Sequence, residues 1–521
     1  MRKPLHRRAL IWTASLALIG AACGGDDGGD GGSSAPTTAA AVDTNGSAGT
    51  EGTTGEAPAT TGAPAGDLEA AWKAQRDAIV ADIEANGYGV DEATNTLRGP
   101  AGFTVDLDQC PDGWSDTEGL TDTEIRLGQT LSQSGNTADF GNMTKAWVAY
   151  MDHINETEGG ITDSEGVTRK LTLIHKDDGY DPARTIPLVD ELLDNDKVFA
   201  LTTGGSANTL RTYEKTNDRC VPQLFVWTGH PAWGDPVNHP WTMGSILGYS
   251  TEATLWGQYM EETLPQGATI AALVMNNDFG LSYLDGLERF LEQSDHGFEL
   301  VTELFEPAAP TIKNEMTTLA SKDPDAFIMM ATGTPCSQAI IEAAENGMAD
   351  TATQLWQPSV CKPLSLVGDA AVGDASDGWL IVGGGQVDIN DPTMADEPAI
   401  VFAKDVLQGA GLDPKSSSNL GAGFYLGWPY IETIRIAAAL DGGLTRSNLI
   451  LAARSLDLES PYLLPGIRIT TNGNEDAYPI EGSEIASFDA AQQTWVRMGD
   501  ILDLSGRSGL CAWDANAGRC G

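Results

Sequence analysis

The chain has 521 residues, seven cysteines and a net charge of −44, from 30 Lys and Arg against 74 Asp and Glu. An excess this acidic argues against nucleic acid and anionic surfaces as partners. Charge spread over a whole surface does not identify a ligand, and roughly 450 residues beyond the low-complexity start suffice for two or three domains.

Met1 to Arg8 carries Arg2, Lys3, Arg7 and Arg8, and Ala9 to Ala22 is almost wholly apolar. A basic head, a short apolar run and small residues before a cut site describe an export signal. At ~1.5 Å per residue the run is too short to cross ~30 Å of hydrocarbon comfortably. Gly20-Ala21-Ala22-Cys23 resembles the lipobox of bacterial lipoproteins, which implies a signal peptide over 1–22 and a lipid on Cys23. Arg7-Arg8 leaves twin-arginine export open as well. Residues 23–66 hold mostly Gly, Ser, Thr, Ala and Asp after the cysteine, with no aromatic residue. Such a segment buries too little apolar surface to offset its ordering entropy, so it reads as a flexible tether. The expected location is the outer face of a bacterial cell membrane.

Six further cysteines remain: Cys110, Cys220, Cys336, Cys361, Cys511 and Cys520. An even set in an exported chain favours disulfides. Six cysteines allow 15 pairings, among which sequence does not choose. Proximity suggests Cys511–Cys520 and Cys336–Cys361, leaving Cys110–Cys220. None has C-x-x-C spacing, and no metal or cofactor is expected.

Residues 67–121 form an N-terminal helix and linker, the helix over Asp67–Asn86 with Leu68, Ala71, Trp72, Ile79 and Ile83 near one face. Strands and helices then alternate. EIRLGQT (Glu124–Thr130), LTLIH (Leu171–His175), VFALTT (Val198–Thr203) and QLFV (Gln223–Val226) read as strands. Between the first two, Phe140, Met143, Trp147, Tyr150, Met151 and Ile154 recur at helical spacing. After Tyr249 the pattern restarts with TIAALVM (Thr269–Met275), LVTELF (Leu300–Phe305) and AFIMMA (Ala326–Ala331). GWLIVGG near Gly378 and a long helix from Gly421 to Leu440 follow. Alternation of this kind argues for βαβ units and parallel sheets, an α/β fold with two lobes.

Ligands of parallel α/β sheets sit beyond the carboxyl ends of the strands. The loops there are LSQSGNTADFGN, TGGSANT, VWTGHPAWGDP, NNDFG, TGTPCS and the LWQPSV segment. They are rich in Gly, Ser, Thr and aromatic residues, which supply backbone N–H groups and apolar contact.

The order TEIRLGQTLSQSGNTADFGN, LIHKDDGYDPART, VFALTTGGSANT, CVPQLFVWTGHPAWGDP, ALVMNNDFGLSYLDGL resembles the type 1 periplasmic binding proteins, nearest the branched-chain amino acid branch. The resemblance covers roughly 122–500. It implies two Rossmann-like lobes, three hinge crossings, and a small-molecule ligand closed into the central cleft and read by an ABC permease. Lobe 1 is then expected over 122–247 plus 377–440, lobe 2 over 248–376 plus 441–505, with a tail at 506–521. A monomer is expected.

Carried over by position, Phe140 matches the aromatic residue over the ligand side chain. Gly205 and Ser206 fall on the loop that holds a carboxylate, and Trp227, Thr228 and Gly229 on the loop that holds carboxylate and amine. Phe279 matches the aromatic residue of lobe 2. Thr334 lies near a second aromatic position and Ser359 near the acid that pairs with the ammonium. QPSVC at that last position contains no acid, and Asp278 reads as a helix cap rather than its substitute. The ligand is therefore left open among an amino acid, an amide or urea-like compound, a carboxylate and an aromatic acid.

Two other classes compete. Gly204-Gly205-Ser206-Ala207-Asn208 nearly matches the G-x-S-x-G nucleophile elbow, but Asn208 replaces the last glycine. His230 reads as a turn residue, and no H-E-x-x-H or Walker A motif is present. An enzyme is therefore not expected. The same fold also serves as the sensing part of receptors, so a ligand-sensing component with a membrane partner is the alternative. Asp177-Asp178 has too few oxygen ligands around it for calcium; Asp178 and Asp181 are expected to shape the turn and cap the next helix.

Overall fold

The computed structural model describes residues 65–509, 511–514 and 519–520. The expected signal, Cys23 and most of the tether lie outside them.

The N-terminal helix runs from Ala65 to Asn86. Trp72, Arg76, Ile79 and Ile83 are buried, at the i, i+4, i+7, i+11 spacing of one helical face. Ala71 is exposed, so the face is turned slightly from the expected one. Trp72 packs edge-on against Phe402 and Trp428, and Arg76 bonds buried Glu432. This helix is part of the first lobe's core. The expected linker after it folds as a three-stranded antiparallel sheet, Gly89–Asp91, Thr96–Arg98 and Thr104–Asp106. Strands of three residues are too short to show a period in sequence.

The first lobe's sheet has six strands, in the order Ile161–Thr162, Thr168–Lys176, Glu124–Thr130, Ala200–Thr203, Gln223–Val226, Thr242–Gly244. All but the first pair are parallel. Asp181 caps the helix Pro182–Asp194 through Ala183 N–H, and Asp178 accepts from Tyr180 N–H, the turn roles expected of them. The helix Asn419–Ala439 is buried on nearly every side. A Cβ on Gly423 would stand 2.5 Å from the Met143 carbonyl oxygen, so glycine permits the close approach to helix Gly141–Thr157.

The second lobe's sheet has seven strands: Glu299–Phe305, Thr269–Met275, Ala326–Met330, Gln354–Gln357, Leu380–Val382, Ile485–Asp489, Thr494–Arg497. The first five are parallel and the last two antiparallel. The expected lobe boundaries shift in two places. Leu380–Val382 pairs with Gln354–Gln357 and Ile485–Asp489, so residues assigned to lobe 1 from 377 begin in lobe 2. The helix Arg446–Ala453, assigned to lobe 2, belongs with lobe 1: Arg446 donates to the carbonyls of Val198 and Phe199. An apolar triplet such as LIV fits either sheet, and only pairing decides.

The chain crosses between the lobes after Gly244, after Val382 and before Ile485. The last two crossings bond each other, Gly383 N–H to the Glu484 carbonyl at 3.1 Å. Lys362 bonds the buried Glu484 carboxylate and the Gln386 carbonyl there.

Three disulfides form: Cys110–Cys220, Cys336–Cys361 and Cys511–Cys520, the set proximity suggested. Trp513, inside the last one, stands edge-on to His230.

Candidate ligand-binding cleft

The carboxyl ends of both parallel sheets face one cavity of about 70 Å³. Lobe 1 supplies Leu131, Phe140, Met143, Tyr180, Gly205 and Trp227, and the first crossing supplies Ile246. Lobe 2 supplies Tyr249, Phe279, Thr332, Val360 and Pro363, and the returning segment adds Gln386, Asn419, Ala422, Tyr425 and Leu426. A water needs about 10–15 Å³ on this measure. The closed cleft therefore has room for a ligand of several heavy atoms.

The lobes touch directly at the rim. Asn136 Nδ2 donates to the Pro307 and Ala309 carbonyls at 2.9 and 3.2 Å, and Thr334 Oγ1 donates to the Asn136 carbonyl at 3.1 Å. Arg211 and Asp278 pair across the cleft at 3.6 Å. These contacts describe a closed state. Gly333 has a φ of 69°, and a Cβ there would stand 2.5 Å from the Asn136 carbonyl oxygen.

Of the residues singled out in sequence, Phe140, Gly205, Trp227 and Phe279 lie on the cavity wall. The other five do not. Ser206 and Thr228 are buried beside it with their hydroxyls bonded to each other at 2.7 Å. Gly229 backs onto the Leu247 carbonyl, 2.2 Å from where a Cβ would be. Thr334 stays at the exposed rim. Ser359 is buried behind the wall, where its N–H and Oγ donate to Glu252 at 2.7 and 2.8 Å. Asp278 does not cap its helix: Asn277 does, accepting from Phe279 and Gly280 N–H, which frees Asp278 to face Arg211.

Glu252 went unnoticed in sequence. It is fully buried in the first turn of helix Tyr249–Thr263 and also accepts from Tyr283 OH at 2.8 Å. Burial pushes its carboxyl up to about 8, against the pull of the Ser359 and Tyr283 hydrogen bonds. At neutral pH it is mainly the uncharged acid. The acidic group missing from QPSVC thus has a near-counterpart on another element, but one held behind Ser359. His230 is a buried turn residue whose Nδ1 accepts from Ala232 N–H, and burial lowers its pKa to about 3. It has no contact with Ser206 that would make a nucleophile. Among the described residues, no group of three or more His, Cys, Asp or Glu is arranged to hold a metal.

Tyr180, Tyr249, Asn419 and Tyr425 are among the wall residues that sequence reasoning missed. Tyr180 and Tyr249 had a weak signal, an aromatic residue just after a strand end or crossing. Asn419 and Tyr425 had none, because their helix is buried on nearly every side, so no single face of it is marked in sequence.

The pattern of the family described as Periplasmic binding protein matches residues 124–482. No curated protein matches in sequence. Among solved structures, a fatty acid ABC transporter substrate-binding protein from Thermomonospora curvata superposes with a TM-score of 0.62 at 21% identity, covering 75% of this chain and 95% of that one. A branched-chain amino acid ABC transporter protein from Thermus thermophilus with bound valine gives 0.64 at 17%, covering 74% and 97%. A solute-binding protein from Rhodopseudomonas palustris BisB5, in complex with 3,4-dihydroxybenzoic acid, gives 0.58 at 18%, covering 74% and 98%. At these identities the likeness shows the fold alone. The family match, in contrast, spans every residue that walls the cavity, and on it this chain belongs to the periplasmic binding protein family.

Proposed function

We propose that the protein is a lipid-anchored solute-binding component of an ABC importer, working outside the cytoplasm as a monomer. It captures a small solute between its lobes and presents the closed form to a membrane permease. The observation that carries this reading is the cavity itself: both lobes and the returning segment wall it, so closure of the lobes and burial of a ligand are one event. Cys23, with its basic head and apolar run, supports the anchor. Among the described residues no helix is long and apolar enough to cross a membrane.

The direct test is thermal denaturation of the purified protein against amino acids, amides, short carboxylates and aromatic acids. A ligand at ~100 times its dissociation constant adds ~2.7 kcal/mol, which gives a visible rise in Tm. The Gly333→Ala variant should lose most of that rise, because its methyl group meets the Asn136 carbonyl only when the lobes close. At least a tenfold weaker affinity with the fold retained is the expected result. Unchanged affinity in Gly333→Ala would mean that binding does not require this closure, and a folded wild-type protein with no hit across the panel would count against solute binding.

Anchoring is tested separately by cell fractionation. Cys23→Ala should move the protein from the membrane to the soluble fraction. Retention of the variant in the membrane would overturn lipidation at that residue.

A further inference from the structure

Two buried polar atoms on the cavity wall have no hydrogen-bond partner among the described residues: Asn419 Oδ1 and Tyr425 OH. Their residues are 1% and 3% exposed, so bulk solvent does not reach them. A buried polar group without a partner is costly, and native structures rarely retain one without a use for it.

The orientation of the Asn419 amide is settled by its neighbour. Its Nδ2 donates to Asp139 Oδ2 at 2.6 Å, and that same oxygen accepts from Ser417 Oγ at 2.9 Å. A carboxylate oxygen accepts and does not donate, so the NH₂ group faces Asp139 and the carbonyl oxygen is the unpartnered atom. Asn419 therefore asks for a donor. Burial pushes the Tyr425 hydroxyl up, so it stays protonated and is able to donate or accept.

The rest of the wall is uncharged. No Asp, Glu, Lys, Arg or His lies on it among the described residues. On the wall itself an ammonium group meets no counter-charge: Glu252 sits behind Ser359 with its oxygens already bonded, Asp139 is taken up by Asn419 and Ser417, and Glu484 is paired with Lys362. A carboxylate would meet the Asn419 carbonyl as a second acceptor and the apolar walls without a cation, which disfavours its burial. The Ser206 and Thr228 hydroxyls already bond each other.

We propose that the cleft selects a small uncharged solute with an apolar body, whose N–H or O–H group donates to Asn419 Oδ1 and whose polar group also engages the Tyr425 hydroxyl. A primary amide meets both demands. This inference rests on the solute-binding reading above.

Matched probes isolate the head group. Isovaleramide, isovalerate and L-leucine share a branched apolar body and differ in carrying an amide, an anion or a zwitterion; benzamide and benzoate form a second pair. Titration calorimetry on the purified protein should give each amide at least tenfold tighter binding than its charged counterparts. Tyr425→Phe should weaken amide binding about tenfold while its unliganded Tm stays the same or rises, because an unpartnered buried hydroxyl is removed. Isovalerate or L-leucine binding as tightly as isovaleramide overturns the inference and leaves solute binding standing. Unaltered amide affinity in Tyr425→Phe removes that residue from recognition and overturns it as well. Binding of neither amide also overturns it, and the wider panel then judges the solute-binding reading on its own.

Discussion

Replacing Cys110 and Cys220 together by serine is expected to destabilise the protein by about 5 kcal/mol, more than the loss of either other disulfide. The bridge closes a loop with a sequence separation of 110, against 25 for Cys336–Cys361 and 9 for Cys511–Cys520. On the chain-entropy account the three contribute about 5, 3.5 and 2.5 kcal/mol through restriction of the unfolded chain. The first bridge also ties the short N-terminal sheet to lobe 1, where Trp114 Nε1 donates to the Cys220 carbonyl at 2.9 Å. Urea denaturation of the three double variants gives the ranking. A Cys110/Cys220 variant that loses less than the other two would show that native contacts of the extension, not loop closure, set the stability.

Stability should also depend on pH through Glu252. Its folded pKa of about 8 lies above its ordinary value of 4.5, so folding favours the protonated form. Stabilisation from this group is then fully present below about pH 4.5, falls as pH rises and is lost above about pH 8. Two partners soften the penalty of ionisation without removing it: Ser359, through its N–H and Oγ, and Tyr283, while the Glu484 charge adds to it. Glu252→Gln keeps the shape and fixes the neutral state. The difference in unfolding free energy between variant and wild type should rise in the variant's favour by about 4–5 kcal/mol from pH 4.5 to pH 8, at ~1.4 kcal/mol per unit. Taking the difference removes the opposite trends of carboxylates such as Asp163 and Asp177, which hydrogen bonds hold below the usual range. A difference that stays flat across that window would mean Glu252 is ionised in the fold.

Much of the architecture is legible in the sequence. Glu124–Thr130, Gln223–Val226 and Thr269–Met275 appear with the bounds read from sequence. Each is a short segment carrying buried apolar residues, so local pattern and tertiary burial agree. The cavity's position was legible too, because strand ends in parallel sheets converge. Trp227 follows a strand directly, Phe140 and Phe279 lie in the segments after one, and all three line the cavity.

Sequence by itself determined the alternation of strands and helices, the number of cysteines available to pair, and the loops among which a ligand would sit. These are local properties, set by periodicity, composition and turn chemistry. Tertiary structure alone decided that Leu380–Val382 joins the second sheet and Arg446–Ala453 the first lobe, since such short segments acquire an address only from their partners. It also decided that Ser359 turns to Glu252, 107 residues away, while Asn419 and Tyr425 turn to the cleft. The charge of Glu252 follows from the same cause: a carboxyl group's ionisation depends on the water and dipoles around it, and those are assembled only when distant parts of the chain close over it.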